Sequence, residues 1–165
     1  MTRSKIIPEH TAGRYCTCVD HNVASKFAFE SSLIYQTLPS FRIQYPGAKA
    51  VTTIHCDSDK HHKHPLGELN ILVPITEMNN TSAIWVESLP NLGDFGPVNL
   101  NRGEWILWNG NRCRHFNKQN NTSKTRISLD FRILPSVCYD PNYNQNTATT
   151  KQKFVIGEYY SKMER

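Results

Sequence analysis

Arg126-Ile127-Ser128-Leu129-Asp130-Phe131-Arg132-Ile133 alternates polar and apolar residues without a break. That two-residue period is the period of a β-strand, so Arg126, Ser128 and Asp130 take one face and Ile127, Leu129, Phe131 and Ile133 the other. Working outward, similar short runs lie at 48–56, 68–76, 82–88, 96–100, 104–108, 112–117 and 124–134, separated by clusters of Gly, Pro and Asn. A further apolar segment spans 153–160. The turn residues Asn79-Asn80-Thr81 and Asn120-Asn121-Thr122-Ser123 each join two such runs as hairpins. Seven or eight short antiparallel strands predict a mainly β fold, a jelly roll, with its core at about 48–134.

Upstream the texture differs. Val23, Phe27, Leu33, Ile34 and Leu38 recur near helical spacing, with Asp20 or Asn22 as an N-cap and Pro39 as a stop. One N-terminal packing helix over about 22–38 is therefore predicted. The polar, Asn- and Thr-rich stretch from Tyr139 to Gln152 predicts a loose connection inside a C-terminal extension at 139–165. At 165 residues the chain is expected to form one domain, 1–165.

Composition narrows the function classes. No run approaches the roughly 20 apolar residues needed to span a bilayer, and the start lacks the apolar core of a signal peptide, so a cytoplasmic protein without a membrane partner is expected. Five scattered cysteines in such a chain predict reduced thiols rather than a disulfide framework. The net charge of +5 comes from thinly spread Lys and Arg, so a nucleic-acid partner is not expected and a small molecule is.

The chemistry-bearing residues follow one another in order. His55-Cys56-Asp57 sets an imidazole and a carboxylate two residues apart, on one face of a strand. Alone this pair is commonplace, but it is followed by the strand Gly103 to Trp108, by His115, and eleven residues later by Arg126-Ile127-Ser128. Two histidines and one carboxylate form a facial triad, which leaves three positions of an octahedral iron open for a co-substrate and oxygen. Arg126, assisted by Ser128, supplies the fixed cation that the far carboxylate of an oxo-acid needs.

In that order of motifs, across roughly residues 48–134, the sequence resembles the Fe(II)/2-oxoglutarate-dependent oxygenase superfamily, in its phytanoyl-CoA-hydroxylase-like branch. The runs Gly67-Glu68-Leu69-Asn70, Ile84-Trp85-Val86-Glu87-Ser88 and Gly110-Asn111-Arg112-Cys113-Arg114-His115 resemble more closely a small family named after a protein of the streptomycin biosynthesis cluster. The resemblance implies a cupin-like double-stranded β-helix, Fe(II) on His55, Asp57 and His115, 2-oxoglutarate as co-substrate with O2, and a dioxygenase reaction that releases succinate and carbon dioxide. The chain is short for the superfamily, which leaves room for a partner protomer in a homodimer to supply part of the wall.

A second set of ligands competes. His62, His64 and Glu68 have the spacing of the first cupin metal motif, and with His115 they would serve an isomerase, an epimerase, a dioxygenase without 2-oxoglutarate, or a non-catalytic binding module. Arg126 and Ser128 have a task only in the oxygenase set. Around the metal, Asn70 is a candidate donor to the oxo-acid, and Glu68, Trp85, Glu87, Asp130 and His64 are candidates for substrate contact. Two placements of Glu68, Glu87 and Asp130 remain open: on the solvated side, or turned inward, where they require Arg132 or a cationic substrate as partner.

Overall fold

The computed structural model describes residues 2–5, 32–49 and 53–164. Ten strands carry the architecture: β1 (Thr2–Lys5), β2 (Ser32–Gln36), β3 (Ser40–Gln44), β4 (Leu69–Pro74), β5 (Ile84–Val86), β6 (Gly96–Pro97), β7 (Glu104–Trp108), β8 (His115–Asn117), β9 (Arg126–Pro135) and β10 (Tyr160–Glu164). Seven form a large sheet in the order β1-β7-β4-β9-β2-β10, with β3 also on β9, and three form a small sheet in the order β6-β5-β8. All pairings are antiparallel. This is the mainly β jelly roll that the alternating runs predict and the cupin-like double-stranded β-helix that the family resemblance implies.

The long strand β9 organises the large sheet. Its first half pairs with β3, its last residues pair with β2, and β4 runs along its other edge in the register Asn70↔Arg132, Leu72↔Asp130 and Pro74↔Ser128. One face of the sheet gathers Leu33, Ile71, Trp105, Phe131 and Ile133 into an apolar cluster. The other face carries two more, Leu72, Ile106 and Trp108 with Val86, Val98 and Cys113 against the small sheet, and Ile34 and Leu134 with Phe154, Tyr159 and Tyr160. Arg126, Ser128, Asp130 and Arg132 have the parity of this second face. Polar side chains can therefore converge inside the fold while Ile127 to Ile133 keep their apolar side away from them.

The turns at Asn79–Thr81 and Asn120–Ser123 connect strands of different sheets, β4 to β5 and β8 to β9, and so do not close the expected hairpins; three further elements also differ from expectation. Residues 32–36 of the predicted helix form β2, hydrogen-bonded to β9 and β10 on its two edges, with Leu33 packed into one apolar cluster and Ile34 into another on the opposite face; residues 22–31 lie outside the described residues. The strand predicted at 48–56 is reduced, where described, to an isolated bridge between His55 and His115. The apolar segment 153–160 buries Phe154, Tyr159 and Tyr160 through a turn, and strand structure begins only at Tyr160. Among the described residues no helix is long and apolar enough to cross a membrane.

Candidate active site

His55 and His115 face each other as bridge partners, joined by two backbone hydrogen bonds of 3.2 and 2.8 Å, with ring centroids 4.4 Å apart. Asp57 follows where the chain leaves this bridge, and its amide donates to the carbonyl of Gly110 at 2.9 Å. The backbone thus ties the segment carrying two of the candidate ligands to the loop before the third. The Nε2 atoms of His55 and His115 lie 3.7 and 3.5 Å from Asp57 Oδ1. Among the described residues these three are the group whose ligand atoms gather closely enough for one ion.

The remaining atoms of each ligand are held from behind. His55 Nδ1 donates to the carbonyl of Thr53 at 2.8 Å and His115 Nδ1 to that of Cys113 at 3.1 Å, which leaves each Nε2 lone pair for the metal. Burial and the neighbouring His115 lower the pKa of His55 and favour its neutral, ligating form. Asp57 is 2% exposed. Its Oδ2 accepts from Asn70 Nδ2 at 2.8 Å and from Arg132 Nη2 and Nε at 2.9 and 3.2 Å, so Oδ1 is the oxygen left facing the histidines. Burial, the largest single effect, raises the Asp57 pKa, but Arg132 together with His115 and His64 overcomes it and holds the carboxyl well below its ordinary range. Two imidazole nitrogens, one anionic oxygen and restrained outer atoms are the donor set that a divalent iron fits.

The three groups open onto a cavity of about 420 Å³ that is also lined by Asn70, Leu72, Ile84, Trp108, Arg126 and Arg132. Arg126, 7% exposed, donates from Nη1 to Ser128 Oγ at 2.9 Å and from Nη2 to Gln44 Oε1 at 3.2 Å. Its Nε has no partner, and no carboxylate pairs with it among the described residues. Burial and nearby Arg42 lower its pKa, which is the cost of keeping a cation without a counterion.

The other candidates are distributed unevenly. His64 and Asp130 line the cavity. Glu68 lies behind His64, accepting from His64 Nδ1 at 2.7 Å and from the Tyr160 hydroxyl. Asn70 spends one amide hydrogen on Asp57. Glu87 is fully buried but away from this cavity, held by the amides of Gly93 and Arg114 and by the Arg114 guanidinium, and Trp85 packs under Lys118 Nζ on the small sheet. The competing ligand set does not assemble. His62 is bonded to Asp59 at 2.9 Å and stacks on the His55 ring, while His64 is engaged with Glu68.

Three contributors were not singled out from sequence. Gln44, on β3, reaches Arg126 because Gln44 and Arg126 are register partners. Arg42, two residues earlier on the same face, reaches Asp130. The turn at 147–152, expected as a loose connection, forms part of the cavity rim and is closed by Thr147 N donating to Gln152 O at 2.9 Å. Their only sequence signal is the Arg42/Gln44 alternation, which a mixed strand of five residues does not distinguish from surface.

No family model matches the chain. In sequence it is similar to the streptomycin biosynthesis protein StrG of Streptomyces griseus, 33% identical over 125 residues, which is 76% of this chain and 58% of StrG. The chain thus spans less than two thirds of that relative. In structure it is similar to the non-haem α-ketoglutarate-dependent epimerase SnoN from nogalamycin biosynthesis, with a TM-score of 0.57, 14% identity, and coverage of 90% of this chain and 71% of SnoN. It is similar also to CytC3 solved with Fe(II) and α-ketoglutarate, with a TM-score of 0.51, 13% identity, and coverage of 86% and 66%.

Proposed function

Given that the chain has the fold of the Fe(II)/2-oxoglutarate-dependent non-haem oxygenases and a sequence relative in StrG, we propose that it is an enzyme of that kind: it holds Fe(II) with His55, Asp57 and His115, takes 2-oxoglutarate on Arg126, and oxidises a small polar metabolite. One observation carries this reading. The facial triad and a buried arginine that no carboxylate of the described residues pairs with line the same cavity. A metal site alone fits a cupin or a binding module, whereas a guanidinium left without a carboxylate among the described residues fits the carboxylate of a co-substrate.

Bound iron supplies the redox chemistry that couples decarboxylation of the oxo-acid to oxidation of a substrate C–H bond by O2, with release of succinate and carbon dioxide. The chain supplies position. Ser128 and Gln44 fix the plane of the Arg126 fork, so that it receives the far carboxylate of 2-oxoglutarate in one orientation. Arg132 and Asn70 hold Asp57 Oδ2, so that Asp57 would offer Oδ1 alone to the iron. Leu72, Ile84 and Trp108 give the cavity an apolar wall that limits water around the reacting atoms. Hydroxylation is the simplest outcome, and the substrate carbon set nearest the metal decides between it and desaturation, cyclisation or epimerisation.

The reading is tested by anaerobic calorimetry, titrating 2-oxoglutarate into the Fe(II)-loaded chain. One co-substrate per iron is expected, with affinity reduced about a hundredfold in Arg126→Gln, the loss of a two-point charged contact. Equal binding by the native chain and the variant contradicts the role given to Arg126.

A further inference from the structure

Among the described residues, the carboxylates around the cavity are all engaged from within the protein. Glu68 is taken by His64 and Tyr160, Asp57 by Asn70 and Arg132, and Asp130 by Arg42 Nη2 at 3.2 Å, with Arg132 Nη1 at 3.7 Å. Glu87, outside the cavity, is taken by Arg114. A cationic substrate was expected only as a partner for inward carboxylates, and these already have partners.

What remains is a file of alternating sign, Asp57, Arg132, Asp130, Arg42, running outward from the metal site. Side-chain exposure rises along it from 3% to 8%, 19% and 46%. The file ends toward solvent on a cation. Arg42 gives Nε and Nη2 hydrogens to Asp130, and its other guanidinium hydrogens point to no carboxylate among the described residues. A ligand cation here would meet Arg42, whereas an oxyanion continues the alternation and accepts the spare hydrogens. The same cavity is also lined by hydroxyl and amide groups: Thr147, Thr149, Thr150 and Gln152. Thr147 Oγ1 lies 2.7 Å from Thr150 Oγ1, which in turn donates to Gln152 Oε1 at 2.8 Å. Such a surface exchanges hydrogen bonds with ligand hydroxyls. The chain's net charge of +5 favours the approach of anions over cations to its surface.

Building on the oxygenase reading, we propose that the substrate is a hydroxylated metabolite bearing a phosphate or carboxylate group, with that oxyanion on Arg42 and its hydroxyls on the turn from Thr147 to Gln152. The test titrates glucose, glucosamine, glucose 6-phosphate and glucuronate into the full chain by anaerobic calorimetry, with and without Fe(II) and 2-oxoglutarate, and repeats the series in Arg42→Gln and Arg42→Lys. At least one acidic sugar is expected to bind about tenfold more tightly than glucose. Glucosamine is expected to bind no more tightly than glucose. Arg42→Gln removes the acidic advantage and Arg42→Lys retains part of it. Whether the phosphate or the uronate binds better identifies the oxyanion. Tightest binding of glucosamine, equal or no binding across the four sugars, or an acidic preference that survives Arg42→Gln would each overturn the proposal. A chain that binds 2-oxoglutarate without an acidic preference contradicts this proposal alone. One that shows the Arg42-dependent preference but takes up no 2-oxoglutarate contradicts the oxygenase reading and leaves the anion site standing.

Discussion

Arg132 Nη2 lies 2.9 Å from Asp57 Oδ2, and Arg132 Nε reaches the same oxygen at 3.2 Å. The contact joins the middle of β9 to the loop that carries two candidate ligands, and it divides the labour of one carboxylate: Oδ2 is held by the protein and Oδ1 is left for the metal. Arg132 is itself held charged. Burial, the largest single effect, lowers its pKa, but Asp57, Asp130, Tyr159 and Glu68 together overcome it and raise the pKa well above the ordinary arginine value. If this restraint sets the metal site, Arg132→Met lowers Fe(II) affinity by about 10- to 100-fold and Asn70→Ala by a smaller factor. Anaerobic titration against a competing chelator measures both, with circular dichroism confirming that each variant folds. Native affinity in both would remove the outer oxygen from the account.

Gly110 offers an independent approach to the same restraint. A Cβ at this position would stand 2.6 Å from the Trp108 ring and 2.7 Å from the Asn70 side chain. Gly110→Ala must therefore displace Asn70 from Asp57 or move Trp108 in the cavity wall. A destabilisation of about 1–3 kcal/mol is expected from the overpacking, measured by denaturant unfolding. It should be accompanied by weaker iron binding in the folded variant. A stable variant with native iron affinity would show that the approach is not tight.

The pair of Glu87 and Arg114 predicts a pH dependence that does not involve the metal. Hydrogen bonds from the Arg114 side chain lower the Glu87 pKa from 4.5 to about 2, although burial opposes them. Below pH 4.5 the unfolded chain takes up a proton at this residue that the folded chain refuses. The stability the pair contributes is thus complete above pH 4.5 and is lost as pH falls toward 2. Melting temperature between pH 5 and 2 should fall more steeply in the native chain than in Glu87→Gln. Parallel profiles would show that the pair carries no linked proton.

Much of this arrangement is written in local pattern. The parity of β9 places Arg126, Ser128 and Asp130 on the inner face as its alternation requires, and the order of His55, Asp57, His115 and Arg126 survives folding because antiparallel pairing brings β8, β9 and the His55 bridge to one cavity. What local pattern misses depends on long-range partners. Ser32 to Gln36 has helical spacing yet forms a strand, since β9 and β10, about a hundred residues away or more, supply its hydrogen bonds. Glu68 and Glu87 have the same inward or outward ambiguity in sequence. It is resolved by Tyr160 and Arg114, neither of which a period-two reading can pair with them.

The central claim is that iron and an oxo-acid meet in one cavity under the control of Arg126. The most direct measurement is the visible charge-transfer absorption of the anaerobic Fe(II)-loaded chain as 2-oxoglutarate is added, in the native protein and in His55→Ala, His62→Ala and Arg126→Gln. The account predicts a band in the native chain and in His62→Ala, no band in His55→Ala, and in Arg126→Gln a band only at far higher 2-oxoglutarate. Iron binding without any band in the native chain, or a band lost with His62 and kept without His55, would contradict it.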